Sequence, residues 1–237
     1  MISLSRIHAW DVSPSEARRL QGELAGRVLL TDVVAIGEIA VVAGVDNGYV
    51  KQMEGMIGYA AAVAFAYPSL EHVETAIGEH PLSFPYVPGL LSFREAPAIF
   101  AALKRLETVP DVILFDGQGY AHPRRFGLAS HLGVVVDLPT VGCAKSRLVG
   151  EYEEPADECG AWSPLIDKGE VIGAAVRTRT GHAPLFVSPG HKLSVEAAVA
   201  IAVSSCRDGR FLPVPTEAAH NAVAHHTAPL RSRRRRT

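Results

Sequence analysis

"IAVVAGVDNGYV", residues 39–50, and "DVILFD", residues 111–116, decide how this chain folds. Both are apolar, β-branched runs, and both run into an aspartate, Asp46 and Asp116. The first opens a series. "GMIGYAAAVAFAY" (55–67) and "LEHVETAIGE" (70–79) follow after short turns, so the three read as an antiparallel meander. The second is short and apolar at every position, the pattern of a central strand covered on both faces and paired in parallel.

Helical segments fall between and after these strands. "SPSEARRLQGELAGRV" opens with Ser13 and Glu16 spaced as a capping box and Pro14 at the first helical position. Its Ala17, Leu20, Leu24 and Val28 recur at helical spacing. A helix is expected around residues 92–106, and "RRFGLASHLGVVVD" (124–137) reads as a helix running into a strand edge. "TVGCAKSRL" (140–148) reads as a short strand, and "EVIGAAVRTRT" with "APLFVSPG" as a late hairpin. "SVEAAVAIAVSSC" and "PTEAAHNAVAHH" read as helices capped by Ser194 and Thr216. The order points to a single α/β domain: three antiparallel strands, a helix, then parallel strands alternating with helices. That is a ribonuclease H-like mixed sheet with flanking helices. The domain is expected to span residues 1–226, with a basic, disordered tail over 227–237 ending in "RSRRRR".

Composition narrows the class. The chain has 237 residues, 48% of them hydrophobic, enough to bury a core without disulfides. Its three cysteines, Cys143, Cys159 and Cys206, lie far apart with no CxxC pair, which argues against a zinc knuckle and for a reducing compartment. "IGYAAAVAFAY", the longest apolar run, is about half of the roughly 20 residues a membrane helix needs. The N-terminal stretch has no secretory apolar core. A cytoplasmic protein is expected. The net charge of −2 advertises no global attraction to nucleic acid, although the arginine tail would add a salt-sensitive pull on phosphates.

Asp46 and Asp116 each sit where a core strand is expected to run out. Alone, either would read as a turn or capping residue. Together, on neighbouring central strands, they would project into one cleft, where their repulsion calls for a cation. Hard oxygen ligands with room for water and phosphate suit magnesium. Glu95, in the helix after the proline-braced loop "FPYVPGLLSFRE" (84–95), supplies a third acid, unless it is a surface carboxylate paired with Arg94 or Lys104.

"DGQGYAHPRRFGLASHLG" (116–133) follows the second aspartate directly. Gly117 and Gly119 let backbone N–H groups approach a ligand. His122, Arg124, Arg125 and His131 follow. The plain alternative is a glycine-rich turn with solvated basic residues. Lys145, in "AKSRL", is either a solvated lysine or a point charge near a phosphate.

The chain resembles the endonuclease V family of deoxyinosine-specific repair nucleases. The likeness runs through "VAGVDNGYV", "YPSLE", "FPYVPGLLSFREAP", "PDVILFDGQGYAHPRRFGLASHLG", "PTVGCAKSRLVG", "PLFVSPGHKLS" and "LPVPTEAAH", in order, over about residues 5–221. It implies magnesium-dependent nicking of damaged DNA, with manganese able to substitute. The cut expected from the family is the second phosphodiester 3′ to hypoxanthine, leaving 3′-hydroxyl and 5′-phosphate ends. The resemblance further implies that Asp46 and Asp116 hold the metal, with Glu95 reached through water, and that Lys145 and His220 are catalytic. Tyr86 and Pro88 fall in the family's "PYxP" wedge. Gly89, Leu91 and Gly117 would offer backbone groups to the flipped base, with His122 and Leu128 lining the pocket. Asn47 departs from the family pattern, where the position beside the metal aspartate is often apolar.

Hypoxanthine offers an acceptor at O6 and a donor at N1–H, the reverse of adenine, so buried N–H donors aimed at O6 would reject adenine. Three other readings stay open on the sequence. These are a noncatalytic inosine-binding module, a glycosylase, and the same chemistry on inosine-containing RNA. A monomer with no membrane partner is expected.

Overall fold

The computed structural model describes residues 2–5, 7–53, 55–207 and 209–233. Helix α1 (Pro14–Leu24) starts at Ser13, whose Oγ accepts from the Glu16 N–H. The Glu16 carboxylate pairs with Arg19 instead of closing the capping box. The meander is β1 (Val41–Gln52), β2 (Gly55–Ala66) and β3 (His72–Pro81), each antiparallel to the one before. Helix α2 (Leu91–Leu103) leads to β4 (Val112–Phe115), and α3 (Leu128–Val136) to β5 (Thr140–Ala144). β4 is parallel to both β1 and β5. β6 (Trp162–Asp167), β7 (Glu170–Val176) and β8 (Leu185–His191) complete one sheet in the order β3-β2-β1-β4-β5-β8-β7-β6.

Helices α4 (Val195–Ser204) and α5 (Val214–Arg233) cover one face, where Val42, Leu114, Val141 and Cys143 meet Ala198, Ile201, Ala219 and Val223. Helices α2 and α3 cover the other, where Val45, Ile113 and Phe115 meet Ala96, Ile99, Leu128 and Leu132. With both faces covered, the central strands are apolar at successive positions, as expected of a buried parallel pair. The sheet is mixed and the architecture is the ribonuclease H-like one.

Several expectations need correction. β1 does not end at Asp46 but continues to Gln52, because it stays paired with β2 after its other neighbour, β4, has stopped at Phe115. β6 is an additional strand. It lies at the sheet edge, where Pro164, lacking an N–H, costs no ladder bond. Thr216 is not a cap. Helix α5 begins at Val214 with Pro215 in its first turn, which proline tolerates, and the Thr216 hydroxyl donates to the Pro213 carbonyl. The same helix runs past residue 226: Thr227 is buried and Leu230 packs against the core, so the expected tail is helical to Arg233. Residues 234–237 of that tail lie outside the described residues.

The seating of α5 depends on Gly44. A Cβ there would lie 2.0 Å from the carbonyl carbon of Pro215, so only glycine admits the helix this close to β1. From Pro215 to Val223 the helix rises about 12 Å, and from Gly44 to Gly48, beneath Val223, the strand rises about 13 Å. Helix and strand therefore run side by side, and His220 is carried over Asp46. Among the described residues no helix is long and apolar enough to cross a membrane, and the three cysteines are free thiols.

Candidate active site

Side-chain alternation aims three functional groups the same way. Val42 on β1, Val112 and Leu114 on β4, and Val141 and Cys143 on β5 all face α4 and α5. Counting on by twos reaches Asp46, Asp116 and Lys145. Val45 and Phe115 are register partners, and the Asp116 N–H donates to the Val45 carbonyl (3.2 Å), so the aspartates stand side by side. All three groups lie just past the carboxyl-terminal limit of the parallel pairing, the side on which open α/β sheets bind ligands.

His220 Nδ1 lies 2.8 Å from Asp46 Oδ2, and Lys145 Nζ is 2.5 Å from Asp116 Oδ2. Ligand atoms of Asp46, Asp116 and His220 all fall within 4.8 Å of one another, a spacing that suits one cation. Asp46 is only 10% exposed; burial first, and then the neighbouring Asp116 charge, raise its pKa. Glu95 enters from α2, on the opposite face. It accepts a hydrogen bond from the Tyr49 hydroxyl, which in turn accepts from Asn47 Nδ2 (3.0 Å). Its other oxygen, Oε2, is buried with no partner among the described residues. Burial is the main cause that pushes the Glu95 carboxyl up to about 7. An orphaned carboxylate oxygen and a pair of repelling acids are what an acidic cation site looks like from the protein side.

A cavity of about 400 Å³ opens beside these groups, and Asp116 and Lys145 are part of its wall. Tyr86, Pro88, Gly89, Leu91, Gly117, His122 and Leu128 all line it. Tyr86 is 72% exposed at the rim, while Phe84, at 3%, anchors the loop against Phe93 and α1. The cavity floor turns on the Gly89 carbonyl, with Gly89 at φ +77°, a conformation that requires glycine. That oxygen accepts from Gln21 Nε2 (3.0 Å), His122 Nε2 (3.0 Å) and Arg124 Nη2 (2.8 Å). His122 Nδ1 accepts the Arg124 N–H at 3.2 Å, which fixes the neutral Nε2–H tautomer. Burial and then the Arg124 cation hold the imidazole down to about 4.

The basic run after Asp116 is otherwise spent on structure. Arg125 pairs with Glu170 and Asp167, each at 2.8 Å. Gly119 gives its N–H to Ser188 Oγ rather than to an approaching ligand. Gln21 and Tyr49 are site residues that sequence reasoning passed over. Gln21 carried one signal, a polar side chain next to Leu20 on the apolar face of α1, where it is 1% exposed.

Paired acids flanked by a lysine and a histidine, where the parallel pairing of a ribonuclease H-like sheet ends and beside a cavity, define a nuclease. The Endonuclease V family model matches residues 22–221. Endonuclease V of Roseiflexus sp. (strain RS-1) is 49% identical over 220 residues, covering 93% of this chain and 96% of that protein. The crystal structure of the Bacillus subtilis Endonuclease V matches with a TM-score of 0.92 at 31% identity, over 98% of this chain and all of that one. Ciona intestinalis Endonuclease V, in complex with a 24mer DNA containing an inosine followed by a ribo-adenosine, matches with a TM-score of 0.79 at 27% identity, over 91% of this chain and 98% of that one. The chain belongs to the endonuclease V family.

The His122 environment has a consequence for stability. In the unfolded chain the imidazole titrates near 6.5, against about 4 when folded. Between those values the unfolded state binds more protons, so stability rises with pH. The contribution is whole above pH 6.5 and is lost as pH falls toward 4, by up to about 3 kcal/mol from this group. Urea unfolding from pH 7 to pH 5 should therefore fall less steeply for His122→Gln, which keeps a donor for Gly89, than for the wild type.

Proposed function

We propose that the protein is a DNA repair endonuclease that recognises deoxyinosine. In this reading it hydrolyses the second phosphodiester 3′ to the lesion, leaving 3′-hydroxyl and 5′-phosphate ends. It acts as a monomer in the cytoplasm, with magnesium as its metal and manganese as a substitute. The observation that carries the reading is the shared wall: the cavity that would hold a flipped base includes Asp116 and Lys145, the groups that would meet the phosphate.

Asp46 and Asp116 would be the direct magnesium ligands, and the orphaned Oε2 of Glu95 would reach the ion through water. Bound magnesium would supply Lewis acidity, orienting the attacking water and offsetting charge on the departing 3′ oxygen. The chain's own groups do the rest. Lys145, 44% exposed beside Asp116, holds the phosphate where charge develops. His220, exposed and hydrogen-bonded to Asp46, would take the proton of the attacking water or give one to the departing 3′ oxygen as its bond to phosphorus breaks. Backbone N–H groups at Gly89, Leu91 and Gly117 recognise O6, with His122 and Leu128 against the base. Tyr86, with Pro88 stiffening its loop, fills the gap left in the duplex. Its 72% exposure suits a wedge better than a packing residue.

Two experiments test this. End-mapped cleavage of oligonucleotides carrying deoxyinosine, inosine in RNA, or adenine should give a nick one nucleotide beyond the deoxyinosine, abolished by chelator and restored by magnesium or manganese. Release of free hypoxanthine, or binding without a nick, would replace the reading with a glycosylase or a binding module. Cleavage confined to RNA would change the substrate. For the wedge, Tyr86→Ala should weaken binding to paired deoxyinosine by about 5- to 150-fold. The defect should shrink on single strands, where no duplex is held open, with the melting temperature unchanged. Equal losses on paired and unpaired lesions would remove the wedge role.

A further inference from the structure

The wall of the cavity at the head of α2 includes Ser92, whose hydroxyl direction is set by a buried histidine. Ser92 lines the cavity and is 1% exposed. Its Oγ lies 2.8 Å from His131 Nδ1. His131 Nε2 lies 2.6 Å from His8 Nε2, and His8 Nδ1 lies 2.7 Å from the Ala9 carbonyl. A carbonyl only accepts, so His8 Nδ1 carries a hydrogen. Burial disfavours the charged form of both rings, lowering His8 and holding His131 well below its ordinary value, so each carries a single ring hydrogen. His8 Nε2 is then a bare acceptor, and His131 donates to it from Nε2. His131 Nδ1 is bare in turn, and the Ser92 hydroxyl must donate to it. One backbone carbonyl thus assigns every proton in the relay, and Ser92 Oγ is left with only lone pairs to offer a further partner.

We infer that Ser92 is a specificity-determining residue that accepts the N1–H of a lactam base, with His131 and His8 as the positioning residues that hold it in the accepting state. The inference rests on the cavity being a hypoxanthine pocket. A lactam edge carries a carbonyl acceptor next to an N–H donor. The head of α2 offers the complementary pair. Leu91 and Ser92 supply first-turn N–H groups without intrahelical acceptors, and Leu90, at the cap position, makes no side-chain cap bond to either. Ser92 Oγ adds the acceptor beside them. Adenine would bring its N1 lone pair against this oxygen, an unpaired buried contact that discriminates strongly.

The test is fluorescence anisotropy, in chelator, with single-stranded oligonucleotides carrying one deoxyinosine or a deoxyadenosine in its place. The wild type, Ser92→Ala and His131→Phe are compared, each with its melting temperature. Ser92→Ala should lose about tenfold in inosine affinity while adenine affinity stays level. His131→Phe frees the Ser92 proton to turn toward the cavity, so it should narrow the inosine-to-adenine ratio while adenine binding rises. A purely structural role would lower both affinities together. That outcome, or a Ser92→Ala ratio equal to the wild type's, overturns the inference. Should His131→Phe fail to fold, Ser92→Ala alone decides. A wild-type protein with no preference for inosine would instead overturn the pocket reading itself.

Discussion

Val45 and Phe115 are register partners on parallel strands, so Asp46 and Asp116 stand next to each other with their carboxylates on one face. Like charges this close, one of them largely buried, work against the folded state unless positive charge offsets them. The surrounding residues answer that demand. Lys145 arrives at the end of the next parallel strand and pairs with Asp116. His220 arrives on α5 and bonds Asp46, and it can do so only because Gly44 lets the helix backbone lie against β1. Tyr49 and Asn47 organise Glu95 from the other face. The acid pair is a local cost that the fold bears at one place, and strained or repelling groups held by a rigid frame are a mark of functional sites.

The cavity is built around a second fixed point, the Gly89 carbonyl. Three donors from α1 and the segment after β4 converge on it. Because Gly89 and Leu91 begin the same segment that carries Glu95, the loop that lines the cavity and the helix that reaches the acids are one continuous stretch of chain. Phe84 pins its start and Ser92, tied to His131, pins the head of the helix. Tyr86 is left exposed between two anchored points, so its ring can be presented outward at little entropic expense.

Much of this was legible in the sequence because it follows local rules. Apolar runs joined by short turns gave the meander, continuous apolarity gave β4, and both aspartates could be placed from the strands that carry them. What escaped reading was set by contacts distant along the chain. His8 and His131 are 123 residues apart, and Gln21 and Gly89 are 68 apart, so no spacing pattern links them. β6 was hidden because Trp162, Pro164 and Ile166 occupy its exposed positions, leaving no polar alternation and a proline that reads as a break. The length of α5 was hidden by the polar "TAPLRSR" (227–233), where Thr227 is buried and its hydroxyl bonds the Val223 carbonyl. The strand containing Asp46 outlasts the aspartate because its pairing with β2 outlasts its pairing with β4, a fact of sheet assembly and not of the strand's own residues.

Asp46 and Asp116, side by side on neighbouring strands, are proposed to hold a divalent ion. Calorimetric titration of manganese into the protein, alone and with a deoxyinosine oligonucleotide, tests it without reference to cleavage. Saturable binding is expected of the wild type, and at least a tenfold loss of affinity in both Asp46→Asn and Asp116→Asn, with folding intact by melting temperature. Manganese binding undiminished in either variant would contradict it.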